Sequence, residues 1–347
     1  MPPIDAPAGP QAGWDILDRV RFSDRRPTIG IAISALLAIA LVGAFAAWFA
    51  NDSLKRRYPA PGAMVSIGTG THRLHFYCTG SGGPVVMIES GIGSGWETWG
   101  AVVTELAHFS RVCVYDRSGY GWSEPEPESG PDAATAPRLA DEFRSLLLNG
   151  PVPGPYILVA HSFGAYIARI YADRFRGDLL GMVLVDPSHE DEGHLHSMYR
   201  TFRNLIPPSG IPALRAFIEG DRALPPFLKA PPALFRRRFF VGLSDNQAVA
   251  SRRELASLDA SEAAVRSAHF PRDLPLIVIT ATHIVTTGDA RKPEMPNPPR
   301  HFELQASLAK LSSQGRQIVV HSGHLVQLDQ PDSIVRAVRE LISCCRP

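Results

Sequence analysis

Ser162 has the setting that points most directly to chemistry. It lies in Tyr156-Ile-Leu-Val-Ala-His-Ser-Phe-Gly-Ala165, where an apolar strand, 157–159, runs straight into a helical pattern carried by Ala165, Ile167, Ala168, Ile170 and Tyr171. A hydroxyl at such a corner stands at the end of a strand and the start of a helix, a place suited to a nucleophile. The turn is tight, so its flanking positions must be small. Ala160 and Gly164 fill them, giving A-H-S-F-G with alanine where glycine is usual. A serine that merely caps a helix would leave a similar trace, so the rest of the chain must decide.

A serine hydroxyl needs a general base, and imidazole titrates in the right range. With twelve histidines in the chain, placement has to choose among them. His324 follows the last expected strand, 316–320, and His321 is its rival three residues earlier, nearer the strand. The third member of such a set must orient the imidazole. Asp186 ends an apolar strand 24 residues beyond Ser162, ahead of Pro187, and Asp289 lies in a polar loop nine residues beyond Thr280. A carboxylate at a strand end is held more rigidly than one on a loop, which favours Asp186 and keeps Asp289 as the alternative. Asp186 could also simply cap the turn before Pro187. Either acid gives the order Ser…Asp…His.

The elements that must position these groups alternate along the chain. Strands are expected at 64–67 and 73–78, a hairpin around Gly68-Thr-Gly70, and then at 85–88, 111–115, 156–160, 180–185, 276–280 and 316–320. Helices are expected at 96–109, 136–148, 300–313 and 333–342. Alternation of this kind predicts a mainly parallel sheet covered on both faces, with ligands at the carboxyl ends of its strands. The candidate residues all sit there. After strand 85–88 comes Glu89-Ser-Gly-Ile-Gly-Ser-Gly95, whose glycines let backbone N–H groups approach a ligand.

Taken in order, these stretches resemble the α/β-hydrolase family, in its serine esterase and lipase branch. The signals are A-H-S-F-G, the Gly-rich loop, Asp116-Arg-Ser-Gly-Tyr-Gly-Trp-Ser123 and Ser322-Gly-His-Leu…Gln330-Pro331. The resemblance implies an eight-stranded, mainly parallel sheet with helices on both faces, a core of 63–186 and 273–347, and a helical cap over 187–272. It implies an oxyanion hole from the N–H groups of Ile92 and Phe163. It makes Asp116 a turn-former with no catalytic role. In this fold the second strand runs antiparallel beside the fourth, which brings Cys78 near Cys113, as a disulfide or as two buried thiols. Cys344 and Cys345 have no evident role.

The cap carries Pro pairs at 207–208, 225–226 and 231–232 and helical patches at 214–218, 234–241 and 262–268. Phe217, Phe227, Phe235, Phe239 and Phe240 are expected to form the cap's own small core, or else an apolar pocket. His189, Glu190, Asp191, Glu192, His194 and His196 match no zinc spacing and read as a solvated hinge into the cap.

With 35 basic against 34 acidic residues, the composition argues against a nucleic-acid partner. Residues 1–28 are expected to be a disordered polar tail. Residues 29–50 run without a charge, enough to cross a bilayer as a transmembrane helix, though Ala44-Phe45-Ala46 offers a signal-cleavage site. Residues 51–62 then form a linker. Four arginines before the span against three basic residues after it slightly favour a catalytic domain on the extracytoplasmic side. The expectation is a membrane-anchored carboxylic ester hydrolase acting on a small apolar acyl ester, with no cofactor and no metal. An acyltransferase on the same site and a catalytically silent binding module are the alternatives.

Overall fold

The apolar runs assemble into one sheet in the order β1-β2-β4-β3-β5-β6-β7-β10. Its strands are β1 (Ala63–Ile67), β2 (His72–Thr79), β3 (Val85–Glu89), β4 (Val112–Tyr115), β5 (Tyr156–His161), β6 (Leu179–Val185), β7 (Leu276–Ala281) and β10 (Gly315–Val320). The computed structural model describes residues 26–68, 72–126, 134–193, 245–285 and 294–344. Asp289, the cap phenylalanines, His194, His196 and Cys345 lie outside the described residues.

Only β1–β2 and β2–β4 pair antiparallel; every other pair in this sheet is parallel. Strands buried on both faces read as continuous apolar runs, because no side of them meets water. In β5, Leu158 and Ala160 point into one apolar layer, while Ile157 and Val159 point into the other, as a two-residue period requires. Helices α3 (Ala136–Asn149) and α4 (Gly164–Arg174) cover the first layer with Phe143, Leu146, Ile167 and Ile170. The second is covered by α2 (Gly100–Leu106) and, at the far end of the chain, by Ile334, Val338 and Leu341.

The expected helix 96–109 is instead a 3-10 turn, Trp96–Trp99, followed by the short α2. Within the segment expected to form the cap, α5 (Asp245–Ala256) and α6 (Leu258–Ser267) are among the described residues. The periodicity gave no hint of α5, because the face it buries is polar: Gln247, Ser251 and Glu254. A small antiparallel ribbon, β8 (His283–Val285) with β9 (Met295–Pro296), follows β7. Helix α7 (Pro299–Ala309), the short α8 (Val326–Asp329) and α9 (Pro331–Cys344) complete the fold.

Cys78 and Cys113 face each other across β2 and β4 and are joined by a disulfide. At the other end of the described chain, α1 (Arg26–Arg57) takes in the uncharged run 29–50. Its Ile31, Leu36, Ile39, Leu41 and Phe45 are exposed. Among the described residues no helix is long and apolar enough to cross a membrane, so the transmembrane helix expected over 29–50 is not established by the fold.

Candidate active site

Ser162 follows β5 with φ of +52°, a left-handed conformation that costs a non-glycine residue energy unless its surroundings enforce it. They do so on both sides. Its N–H donates to the Val185 carbonyl (3.2 Å), and its own carbonyl accepts from the N–H groups of Ala165 (3.0 Å) and Ser188 (3.2 Å). A Cβ on Gly164 would stand 2.7 Å from the Ser90 carbonyl oxygen and 3.0 Å from that of Glu89, so this position has room only for glycine. Ala160, by contrast, is an interior residue of β5 opposite Glu89 and fully buried; its methyl packs in the core.

Asp186, just past β6, also has positive φ (+40°). Its N–H donates to the Ile279 carbonyl (2.7 Å), and Ala281 N–H donates to its Oδ1 (2.9 Å). His324 lies on the loop after β10, where its N–H donates to Ile284 (3.3 Å) and its carbonyl accepts from His161 Nε2 (2.9 Å). These anchors bring the three expected residues together. His324 Nδ1 is 2.6 Å from Asp186 Oδ2, and its Nε2 is 3.0 Å from Ser162 Oγ. His321, the rival base, turns away and stacks edge-on against His283. Ser162 and Asp186 are buried, while the His324 side chain keeps 38% of its surface exposed.

Burial alone would raise the Asp186 carboxyl, but hydrogen bonds from His301 and His324 outweigh it and hold the group far below the usual carboxylate range. His161, beneath His324 with ring centroids 4.7 Å apart, is pushed down to about 3 by burial and by the neighbouring imidazole. It is therefore a neutral ring that donates through Nε2 and steadies the His324 backbone.

His301 was not foreseen. From the first turn of α7 it places Nε2 3.1 Å from Asp186 Oδ1 and Nδ1 2.7 Å from Glu192 Oε1. Burial lowers its proton affinity, but the two carboxylates overcome that and push it up to about 9. The acidic–imidazole segment after Asp186 is consequently not the solvated hinge expected of it. His189 and Glu192 are buried, and Glu190 forms an ion pair with Arg169 at 2.6 Å. No spacing rule reveals this, because the partners are far apart in sequence.

The Gly-rich loop after β3 lies against the nucleophile: a Cβ on Gly91 would come within 2.9 Å of His161 Nδ1 and 3.2 Å of Ser162 Cβ. Among the described residues, the N–H groups of Ile92 and Phe163 donate to no backbone carbonyl. The loop is held by Arg117, which is buried in the turn after β4. Its Nη1 donates to Glu89 Oε1 and the Ser90 carbonyl (both 2.6 Å), and its Nη2 donates to the Gly91 carbonyl (2.9 Å). Tyr120 accepts from Gly93 N–H (3.0 Å) and donates to Glu254 of α5 (2.6 Å). Asp116 in the same stretch does form the turn, accepting from Trp122 N–H (3.2 Å).

Two groups of residues among those described could gather round a metal ion: His283, Glu294 and His321 near the surface, and the buried His72, Glu126 and Glu142. Neither includes Ser162, His324 or Asp186.

A strained serine between a sheet strand and a helix, an imidazole on its hydroxyl and an acid on that imidazole define a hydrolase-type site on a doubly covered parallel sheet. The chain belongs to the alpha/beta hydrolase family, whose pattern matches residues 85–337. An uncharacterized Bacillus subtilis protein, YqjL, is 36% identical over 114 residues, which cover 32% of this chain and 43% of that relative. The chain thus matches less than half of that relative's length. A thermophilic esterase from Thermogutta terrifontis aligns with a TM-score of 0.57 at 20% identity, over 83% of this chain and 100% of its own. The epoxide hydrolase CorEH aligns with a TM-score of 0.56 at 16% identity, over 82% of this chain and 99% of its own. At such identities these likenesses speak for the fold alone.

Proposed function

We propose that this chain is a serine hydrolase that cleaves carboxylic esters through an acyl-enzyme. The observation that carries the reading is His324 standing between Asp186 and Ser162 with one ring nitrogen on each. His324 Nε2 takes the Ser162 proton as Oγ attacks the acyl carbonyl, and Asp186 holds the other nitrogen and stabilises the imidazolium. The N–H groups of Ile92 and Phe163 receive the oxyanion. His324 then returns the proton to the departing alkoxide, and water attacks the acyl-enzyme by the same route in reverse. A hydroxyl nucleophile favours esters over epoxides, which branches of this fold open with a carboxylate. A small apolar acyl ester fits this chemistry best.

The reading extends to location. The uncharged run in α1, with its exposed apolar side chains, supports membrane attachment there, and the disulfide supports an oxidising, extracytoplasmic compartment. Extraction of the full chain by alkaline carbonate would count against attachment.

The activity is tested by p-nitrophenyl ester hydrolysis and fluorophosphonate labelling of the full chain. Ser162→Ala and His324→Ala are expected to lower turnover by about 10⁴–10⁶-fold and Asp186→Asn by about 10⁴-fold, with Asp289→Asn near wild type. A folded chain that neither hydrolyses esters nor labels at Ser162 would turn the reading to a binding module. Transfer of the acyl group to added alcohol in preference to water would make it an acyltransferase.

A further inference from the structure

We infer that His301 is a positioning residue of this site: as a doubly protonated imidazole seated between Asp186 and Glu192, it extends downward the pH range in which His324 is a neutral, proton-accepting base. This rests on the reading of His324 as the general base.

Both His301 ring nitrogens lie against carboxylate oxygens, Nε2 on Asp186 Oδ1 and Nδ1 on Glu192 Oε1. An ionised carboxylate only accepts, so between two of them both nitrogens donate and the imidazole is a cation, in keeping with the two carboxylates pushing His301 up to about 9. Asp186 therefore bridges two imidazoles, with Oδ2 on His324 and Oδ1 on His301 and the Ala281 N–H.

A lone buried carboxylate strongly favours a protonated imidazole beside it, and a base that is already protonated cannot take the Ser162 proton. Positive charge on the far side of Asp186 opposes that effect. The other titratable groups facing the pair do not supply this charge. His161, against His324, is held neutral by burial. On the remaining sides, His189 is hydrogen-bonded to Ser307 of α7, Glu190 is paired with Arg169, and Asp191 with Arg266. Glu192 comes from the segment leading into the cap, so the charge on His301 depends on that segment staying docked.

The test is a titration of the full chain, uniformly ¹³C- and ¹⁵N-labelled, with the histidine ring signals assigned by through-bond correlation to the backbone. In wild type, His301 is expected to show two N–H groups from pH 5 to 8 and to lose one near pH 9. The His324 ring signals should move together with that loss, through the shared Asp186 carboxylate. His301→Gln keeps an amide donor for Asp186 but removes the charge. It should move the acid limb of kcat/KM for ester hydrolysis up by about one pH unit and shift the His324 ring signals. A role confined to hydrogen bonding would leave both unmoved.

A neutral His301 at pH 7, or a His324 signal unmoved where His301 loses its proton, overturns the proposal. Both are read in wild type, so they stand even if the variant fails to fold. Failure of Ser162 to react with esters or fluorophosphonate would instead strike the hydrolase reading, and the two histidine titrations would remain readable.

Discussion

Glu254, on cap helix α5, meets Arg117 in a buried two-pronged ion pair, with Nε 2.7 Å from Oε1 and Nη2 3.0 Å from Oε2. Arg117 spends its remaining donors on the loop that carries Ile92, so the cap and the expected oxyanion hole share one guanidinium. Burial works against this charge, but Glu254, Tyr120 and Glu89 around it keep the group ionised. Removing Glu254 leaves Arg117 paired with Glu89 alone, and breaking a buried pair costs up to about 3–5 kcal/mol.

Glu254→Gln should therefore slow fluorophosphonate labelling of Ser162 by about 10–100-fold, less than the roughly 10²–10³ lost when an oxyanion donor is removed outright, because Glu89 still holds Arg117. It should also lower the melting temperature. The labelling rate is to be compared well below that temperature. A destabilised variant that labels as fast as wild type would show that the pair holds the cap without aligning the loop.

The small positions around Ser162 are expected to differ in tolerance. Gly164→Ala drives a methyl into the backbone oxygen of Ser90, which cannot yield without moving the loop. Labelling of Ser162 should fall by at least about 100-fold, as for a displaced oxyanion hole. Ala160→Gly restores the commoner residue and should leave labelling within a few-fold of wild type. Its cost is stability, roughly 0.5–1 kcal/mol for a glycine in a strand, read from urea midpoints.

These contrasts show which parts of the site the sequence could carry. The gathering of Ser162, Asp186 and His324 was legible because each follows the carboxyl end of a parallel strand, Ser162 and Asp186 directly and His324 on the loop after it, and those strand ends share one edge. The Cys78–Cys113 pair became legible once strand order was assumed. His301 and Arg117 were not, since their roles lie in pairings across 115 and 137 residues that leave no periodic trace. Helix α5 escaped for a related reason: its buried face is chosen for hydrogen bonding and not for hydrophobicity. The cluster 189–192 was misjudged because acidic residues and histidines read as solvated when their partners cannot be seen.

The disulfide closes a loop of 35 residues between neighbouring strands. By loop-closure entropy that is worth about 4 kcal/mol. Reduction, or Cys78→Ala with Cys113→Ala, is expected to lower the urea midpoint without changing the turnover of chain that remains folded, because neither cysteine touches Ser162, His324 or Asp186. An unchanged midpoint on reduction would mean that the strands contribute the same constraint unaided.

Stability should peak near pH 6.5, and for identifiable reasons. His161 binds its proton near pH 3 in the folded chain but near 6.5 when unfolded. Between those values the unfolded chain holds more protons, so stability falls as pH drops below 6.5. Glu190, pushed down to about 2, with its pairing to Arg169 outweighing burial, adds to the loss below pH 4.5. His301 acts in the opposite direction. Its folded value is pushed up to about 9, so its contribution is fully present below 6.5 and is lost as pH rises through 9. Each pH unit of such a shift is worth about 1.4 kcal/mol, so both flanks should be measurable. Urea midpoints from pH 4 to 10 would trace the curve. His161→Asn, which keeps a donor for the His324 carbonyl, should flatten the acid flank, and His301→Gln the alkaline one. If both variants keep the wild-type curve, these imidazoles do not govern its shape and their surroundings are more polar than their burial implies.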